Sequence, residues 1–171
     1  MLEHGSAWVE QRRGDWLGIR TAQRHDGKLG WIRWTPARTL WSTSLLVSVD
    51  LSDRRVRVTS AGALLLDAAV AIGASSSPTP ATSTSVAARI AVTPSSGYSR
   101  RTYGPMIVAL RLWQPTPSPG LPAGGLMAFH GGAHSASVGA AVSAGCLRMR
   151  NSDVVRLAQL VEPGTPVLIR P

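Results

Sequence analysis

Short apolar runs alternate with polar or small residues along most of the chain, and the dominant period is that of a strand. Residues 45–51 are mostly apolar, and Val56 and Val58 alternate with Arg55 and Arg57, as in a strand with one wet face. Residues 86–92, 106–113, 126–129 and 165–170 read as further strands. Residues 64–72 fit either a buried strand or a short helix, because so short an apolar run has no decisive period. Nearer the N-terminus, residues 7–10, 15–20 and 29–33 read as three short strands, with the Asp-Gly of His25-Asp26-Gly27 as the turn between the last two. One segment has helical spacing. After Asn151 or Ser152 as N-cap and Asp153 at the positive end, Val154, Val155, Leu157, Leu160 and Val161 form an apolar stripe that Pro163-Gly164 ends. Residues 73–85 read as a Ser/Thr/Pro loop that does not pack, and residues 114–125, with four prolines and three glycines, as a second loop.

This pattern predicts a mainly β protein, a sandwich or barrel-like sheet with one short C-terminal helix, behind a small β appendage. Composition places the division. Five of the six tryptophans lie in the first 41 residues, where the aromatics are expected to form a small core. Residues 1–41 are thus read as the appendage and residues 42–171 as the main domain, within a length of 171 that suits one domain plus a small unit. The longest apolar stretch, residues 61–74, contains Asp67 and is too short to span a bilayer. Met1-Leu2-Glu3-His4-Gly5 lacks a basic segment followed by an apolar one, so no secretory signal and no lipid anchor are expected from this sequence.

Charge narrows the partners less than its size suggests. Eighteen Lys+Arg against nine Asp+Glu give a net +9, which favours anionic surroundings. The basic clusters are short (Arg12-Arg13, Arg54-Arg55 with Arg57, Arg100-Arg101) and are not interleaved with aromatics, so nucleic acid is not the expected partner. His4, His25, His130 and His134 show no spacing with Asp or Glu that suggests a metal, and no cofactor is implied. A single cysteine, Cys146, excludes an internal disulfide.

That cysteine carries the chemistry. His130-Gly131-Gly132-Ala133-His134 lies sixteen positions before Ser143-Ala144-Gly145-Cys146-Leu147-Arg148, far enough for a loop to bring imidazole and thiol together. A thiol is a useful nucleophile as thiolate, and a nearby imidazole can take its proton. Gly145 bares the backbone beside the sulfur, and nearby amides could hold an oxyanion. Residue types alone leave two other readings open: a buried cysteine with a structural histidine, and His134 as a rival base.

The residues resemble a family. Phe129-His130-Gly131-Gly132, the sixteen-residue offset and Ser143-Ala144-Gly145-Cys146-Leu147-Arg148-Met149 are similar to the signature of the YkuD-type L,D-transpeptidase domain. The match continues through Asn151-Ser152-Asp153 and Pro163-Gly164-Thr165-Pro166-Val167-Leu168-Ile169, and upstream includes residues 47–56, Ala71-Ile72-Gly73, Pro78-Thr79-Pro80 and Tyr103-Gly104. The first 41 residues, with Gly14-Asp15-Trp16 and Gly27-Lys28-Leu29-Gly30-Trp31-Ile32, resemble part of a bacterial SH3-like module.

The resemblance implies an enzyme of the bacterial cell wall whose donor and acceptor are peptidoglycan stem peptides. Cys146 would be the nucleophile and His130 the general base and later acid. Ser143 would orient the imidazole through its backbone carbonyl, and the amides around Gly145 would form the oxyanion site. Gly131, Ala144, Leu147 and Arg148 would meet the substrate. Arg148 fits a carboxylate-holding role or an ion pair under the loop equally well. The chain departs from the family pattern at Ala144, where many members have a second histidine, and at Thr82, where a glycine is usual. Tyr98 and Tyr103 take no assigned role. An extracytoplasmic location follows from the substrate, and the sequence does not specify the oligomeric state. Competing readings are hydrolysis of stem peptides in place of cross-linking, a non-catalytic wall-binding protein, and a nucleic-acid binder resting on charge alone.

Overall fold

The computed structural model describes residues 7–20, 28–116, 125–133 and 135–171. The turn expected at His25-Asp26-Gly27, the rival base His134 and most of the second Pro/Gly loop lie outside the described residues.

Three strands, β1 (Val9–Arg13), β2 (Trp16–Ile19) and β3 (Gly30–Arg33), pair antiparallel in that order as a sheet of their own. The expected aromatic core does not form there. Leu17 is the buried side chain, while Trp16 on the other face of the same strand is half exposed. The register explains this: Trp16 stands opposite Arg13 and Arg33, and Leu17 opposite Arg12 and Ile32.

The main sheet has eight strands. In chain order these are β4 (Leu45–Asp50), β5 (Arg55–Ser60), β6 (Ala63–Ala69), β8 (Thr82–Ala91), β9 (Met106–Trp113), β10 (Leu126–His130), β12 (Leu147–Arg148) and β13 (Pro166–Arg170). The spatial order is β12-β10-β9-β8-β13-β4-β5-β6. Only β10–β12 and β13–β4 pair parallel. A separate parallel pair joins β7 (Ile72–Gly73) to β11 (Ala141–Ser143). Helix α2 (Asn151–Leu160) packs on β9 and β10 through Val154, Leu157 and Ala158. Among the described residues no helix is long and apolar enough to cross a membrane.

The wet-face strand reading of residues 55–58 holds: Val56 and Val58 are fully buried, Arg55 and Arg57 only partly. Residues 64–72 settle as the edge strand β6, whose Leu64 and Leu65 are exposed, followed by Val70 and Ala71 at 0% exposure. The helix begins where expected, but neither side chain caps it as expected. Arg150 is the N-cap residue with no side-chain bond, because Asn151 turns away to accept the Gly132 N–H at 2.9 Å. A single-turn helix, α1 (Arg100–Tyr103), and a 3-10 turn, Ser135–Ser137, were not visible in the hydrophobic pattern.

The largest departure concerns residues 73–85. They pack: Ser77, Thr79, Thr84 and Ser85 are all buried, and β8 starts within the segment at Thr82. Burying hydroxyls is costly unless each finds a partner, and Ser77 and Thr79 find theirs in the cysteine loop described next.

Candidate active site

The site lies at one edge of the main sheet, where parallel pairing sets Phe129 opposite Leu147 and His130 opposite Arg148. Directly paired residues share a face, and side chains alternate along a strand. Phe129 and Leu147 therefore point one way, into the main core, at 1% and 0% exposure. Ala128, His130 and Arg148 point the other way. Cys146, immediately before β12, has its sulfur against the backbone N–H of Ala128, two residues before His130 on β10. The strand carrying them is held on both sides: Met149 N–H donates to the His130 carbonyl at 2.9 Å, and Arg148 and Ala71 exchange N–H···O bonds of 2.8 and 3.0 Å.

The imidazole is buried at 4% exposure, with Nδ1 2.8 Å from the Gly131 carbonyl. Tyr103 of α1 packs its ring edge-on to the imidazole at 5.2 Å between centroids, and Tyr98 packs on Tyr103 at 5.5 Å. Helix α1 also holds the backbone after the histidine, since Tyr103 and Arg101 carbonyls accept from Gly131 and Ala133 N–H at 3.0 and 2.8 Å. Gly132 has φ +118°, and a Cβ there would press on the Thr102 carbonyl, so the turn admits no other residue without strain.

Cys146 is partly exposed. Burial pushes its thiol above the ordinary value, opposed by the Ala128 backbone N–H facing the sulfur and by the Arg148 charge. The loop before it is shaped by buried polar groups. Ser143 Oγ accepts the Gly145 N–H at 3.1 Å and donates to the Cys146 carbonyl at 2.6 Å, while the Ser143 carbonyl accepts from Ala74 N–H at 2.9 Å. Thr79 Oγ1 donates to the Gly145 carbonyl at 2.7 Å and accepts from Gly73 N–H at 2.9 Å. Gln114 Nε2 donates to the Ala144 carbonyl at 3.1 Å, and Ser77 Oγ shares its one proton between that carbonyl at 3.0 Å and the nearer Thr116 carbonyl at 2.6 Å. Gly145, at φ +113°, lies against the Gln114 amide in the space a Cβ would need.

The structure gives the side chain of Ser143 a clamp on the cysteine loop and gives Nδ1 of His130 the Gly131 carbonyl. Leu147 is sealed in the core on the opposite face, so only its backbone can meet a substrate. Arg148 makes no ion pair among the described residues, and its buried Nε has no hydrogen-bond partner. Ala144 is half-buried, with its carbonyl turned toward Ser77 and Gln114. Among the described residues no group of three His, Cys, Asp or Glu could hold a metal ion. Sequence reasoning missed Ser77 and Gln114, and although Tyr103-Gly104 and Asn151-Ser152-Asp153 fall in the family's order, it gave Tyr103 no role and read Asn151 only as a helix cap. For Thr79 a signal existed, since Pro78-Thr79-Pro80 falls in the family's order.

Comparison with known proteins agrees with this architecture. A family model described as the L,D-transpeptidase catalytic domain, YkuD, matches residues 44–169. YkuD of Bacillus subtilis is 55% identical over 41 residues, covering 24% of this chain and 25% of that protein. YkuD of Bacillus licheniformis is 51% identical over 43 residues, covering 25% and 26%. The matched segment is thus about a quarter of the length of these curated relatives. Two solved structures share the fold. L,D-transpeptidase 3 from Mycobacterium tuberculosis has a TM-score of 0.58 at 14% identity, covering 76% of this chain and 61% of that one. The L,D-transpeptidase of Enterococcus faecium has a TM-score of 0.55 at 20% identity, covering 74% and 49%. With residues 44–169 matched, the chain belongs to the YkuD family of L,D-transpeptidase catalytic domains.

Proposed function

We propose that this chain is a cysteine-dependent L,D-transpeptidase acting on peptidoglycan stem peptides outside the cytoplasmic membrane. One observation supports the reading: the parallel register that makes His130 and Arg148 direct partners at the edge of the sheet, with Cys146 two residues before Arg148. Burial works against a free thiolate, so in this reading His130 takes the thiol proton as attack proceeds. Cys146 Sγ then bonds to the carbonyl carbon of the third-position diamino acid. The peptide bond to the terminal D-alanine breaks, and His130 returns the proton to the leaving amine. The side-chain amine of a second stem attacks the thioester, the sulfur leaves, and His130 takes the amine's proton and returns it to the sulfur. The product joins two third-position residues.

The Gly145 N–H is engaged by Ser143 Oγ, so the oxyanion role falls first to the Cys146 N–H. Arg148, whose Nε has no partner, suits a substrate carboxylate. Residues 42–171 form the catalytic unit in this reading, and residues 1–41 an SH3-like appendage.

Incubation with a carbapenem followed by intact-mass measurement tests the proposal. One covalent adduct is expected, lost in Cys146→Ala and formed at least about a hundredfold more slowly in His130→Ala, the scale of general-base catalysis. No adduct on the folded wild type overturns the reading. With disaccharide-tetrapeptide as donor, a cross-linked dimer is expected; release of D-alanine without dimer assigns hydrolysis instead.

A further inference from the structure

The three-stranded N-terminal sheet carries a face that the reaction does not use. Its register sets Trp16 directly between Arg13 and Arg33, one on each neighbouring strand, and puts Gly18 opposite Trp31. Direct partners share a face and side chains alternate, so Arg13, Trp16, Arg33 and Trp31 all project from one side. Trp16 is 50% exposed, against 2% for Leu17 next to it. Trp31 lies flat over Gly18, where an added Cβ would stand 3.1 Å from the ring, and the Arg13 guanidinium stacks 4.7 Å from the centre of the Trp31 ring. Arg33 is exposed and makes no hydrogen bond or ion pair among the described residues. The sheet is tied to the main domain elsewhere, four residues along from Trp16, where Arg20 bonds Glu10 and Ser83 of β8 at 2.7 Å each.

An exposed indole between two cations has no structural purpose in so small a sheet. Its core residue is Leu17, and a half-exposed tryptophan leaves much apolar surface in water. The indole offers a flat apolar platform to a sugar ring, and each guanidinium offers a fork for a carboxylate. Arg13 and Arg33 stand on strands two steps apart, about 10 Å, close to the length of one disaccharide unit. We propose that this face binds an anionic glycan strand, one in which pyranose rings alternate with carboxylates left free where stem peptides have been removed, and so holds the wall polymer beside the stretches whose peptides Cys146 works on. The choice of polymer rests on the peptidoglycan reading above; the face itself does not. Nucleic acid is the poorer fit, because only two cations flank the platform and counterion release would be small.

The probe is soluble peptidoglycan glycan from which the stem peptides have been removed, which offers no peptide to the Cys146 site. Affinity electrophoresis of the whole chain in gels containing this glycan should show retardation, with apparent affinity lowered about tenfold or more by Trp16→Ala and by Arg13→Gln combined with Arg33→Gln. Arg55→Gln, a cation of the main sheet, should bind as wild type, and carbapenem acylation should be unchanged in all of them. Wild-type affinity in the Arg13/Arg33 variant, or equal binding to a neutral chito-oligosaccharide or to duplex DNA, overturns the proposal. If Trp16→Ala loses its circular-dichroism signature, the arginine variant decides alone. Glycan binding without a Cys146 adduct would refute the transpeptidase reading and leave this face standing; an adduct without glycan binding would do the reverse.

Discussion

Replacing Thr79 by valine removes one oxygen from a buried position and keeps the shape. Thr79 is 5% exposed, and its hydroxyl accepts from Gly73 N–H at 2.9 Å and donates to the Gly145 carbonyl at 2.7 Å. Both partners are buried, so valine leaves a donor and an acceptor unpaired. Each such loss costs about 1–3 kcal/mol, which puts the sum at roughly 2–6 kcal/mol. A carbonyl has a second lone pair and tolerates the loss better than an N–H, which favours about 3 kcal/mol. For a domain of this size that is a fall of about 6–12 °C in Tm. Thr79→Ser keeps both bonds and loses a methyl, about 1 kcal/mol. The damage should also reach acylation, because the Gly145 carbonyl is one of the points that fix the loop in front of Cys146. Urea denaturation followed by circular dichroism, alongside carbapenem acylation by mass, measures both. The reasoning fails if Thr79→Val stays within about 0.5 kcal/mol of wild type, or if serine proves as damaging as valine.

Gly145→Ala forces a side chain onto a backbone at φ +113° and into the Gln114 amide; acylation should slow at least tenfold by intact-mass kinetics, and adding Gln114→Ala should recover only part, since the backbone strain persists. Arg148→Gln removes a cation that holds the thiol down, so thiolate absorbance should titrate at higher pH than in wild type; an unchanged or lower midpoint refutes the contact. The raised thiol also sets a pH dependence of stability. Below the ordinary thiol value of 9.0 folded and unfolded chains both keep the proton, so Cys146→Ala and wild type should show parallel pH profiles. Above it the unfolded chain loses its proton first, and wild type should lose stability that Cys146→Ala retains.

The strand pattern was legible where one face is wet and the other dry. Val56 and Val58 between Arg55 and Arg57 can be read directly, and so can most of the stripe that seats α2, of which Val154, Leu157 and Val161 are buried and Val155 and Leu160 partly so, while Ala158 joins them unforeseen. Apolar period says nothing, however, about a single turn such as α1, whose four residues bury no side chain and are held by backbone bonds to the His130 loop. It also misplaced the tryptophans. Trp16 and Leu17 are equally apolar in the sequence, and only the register, set by the Gly14 turn and the pairing of β1 with β2, decides which of them faces inward. The candidate pair Cys146 and His130 stood out for another reason: residue types alone left other readings open, and the match of their flanking residues to the family signature singled them out.

The supporting residues are harder to see, and the cause is physical. A serine- and threonine-rich segment reads as solvated loop because each hydroxyl competes with the backbone for hydrogen bonds, and the same property lets Ser77 and Thr79 be buried once carbonyls are placed to receive them. The donors lie 65 or more residues from the carbonyls of Ala144 and Gly145 in sequence, and Gln114 lies 30 from Ala144, so no local pattern links them. The pairing is informative in the other direction. A loop carrying a nucleophile must hold its amides toward the reacting carbonyl, which requires its own carbonyls to point back into the protein, where they would be orphaned without donors. The three side chains that supply those donors are therefore part of what aims Cys146, and substitutions at Ser77, Thr79 or Gln114 should slow acylation by more than their effect on global stability accounts for.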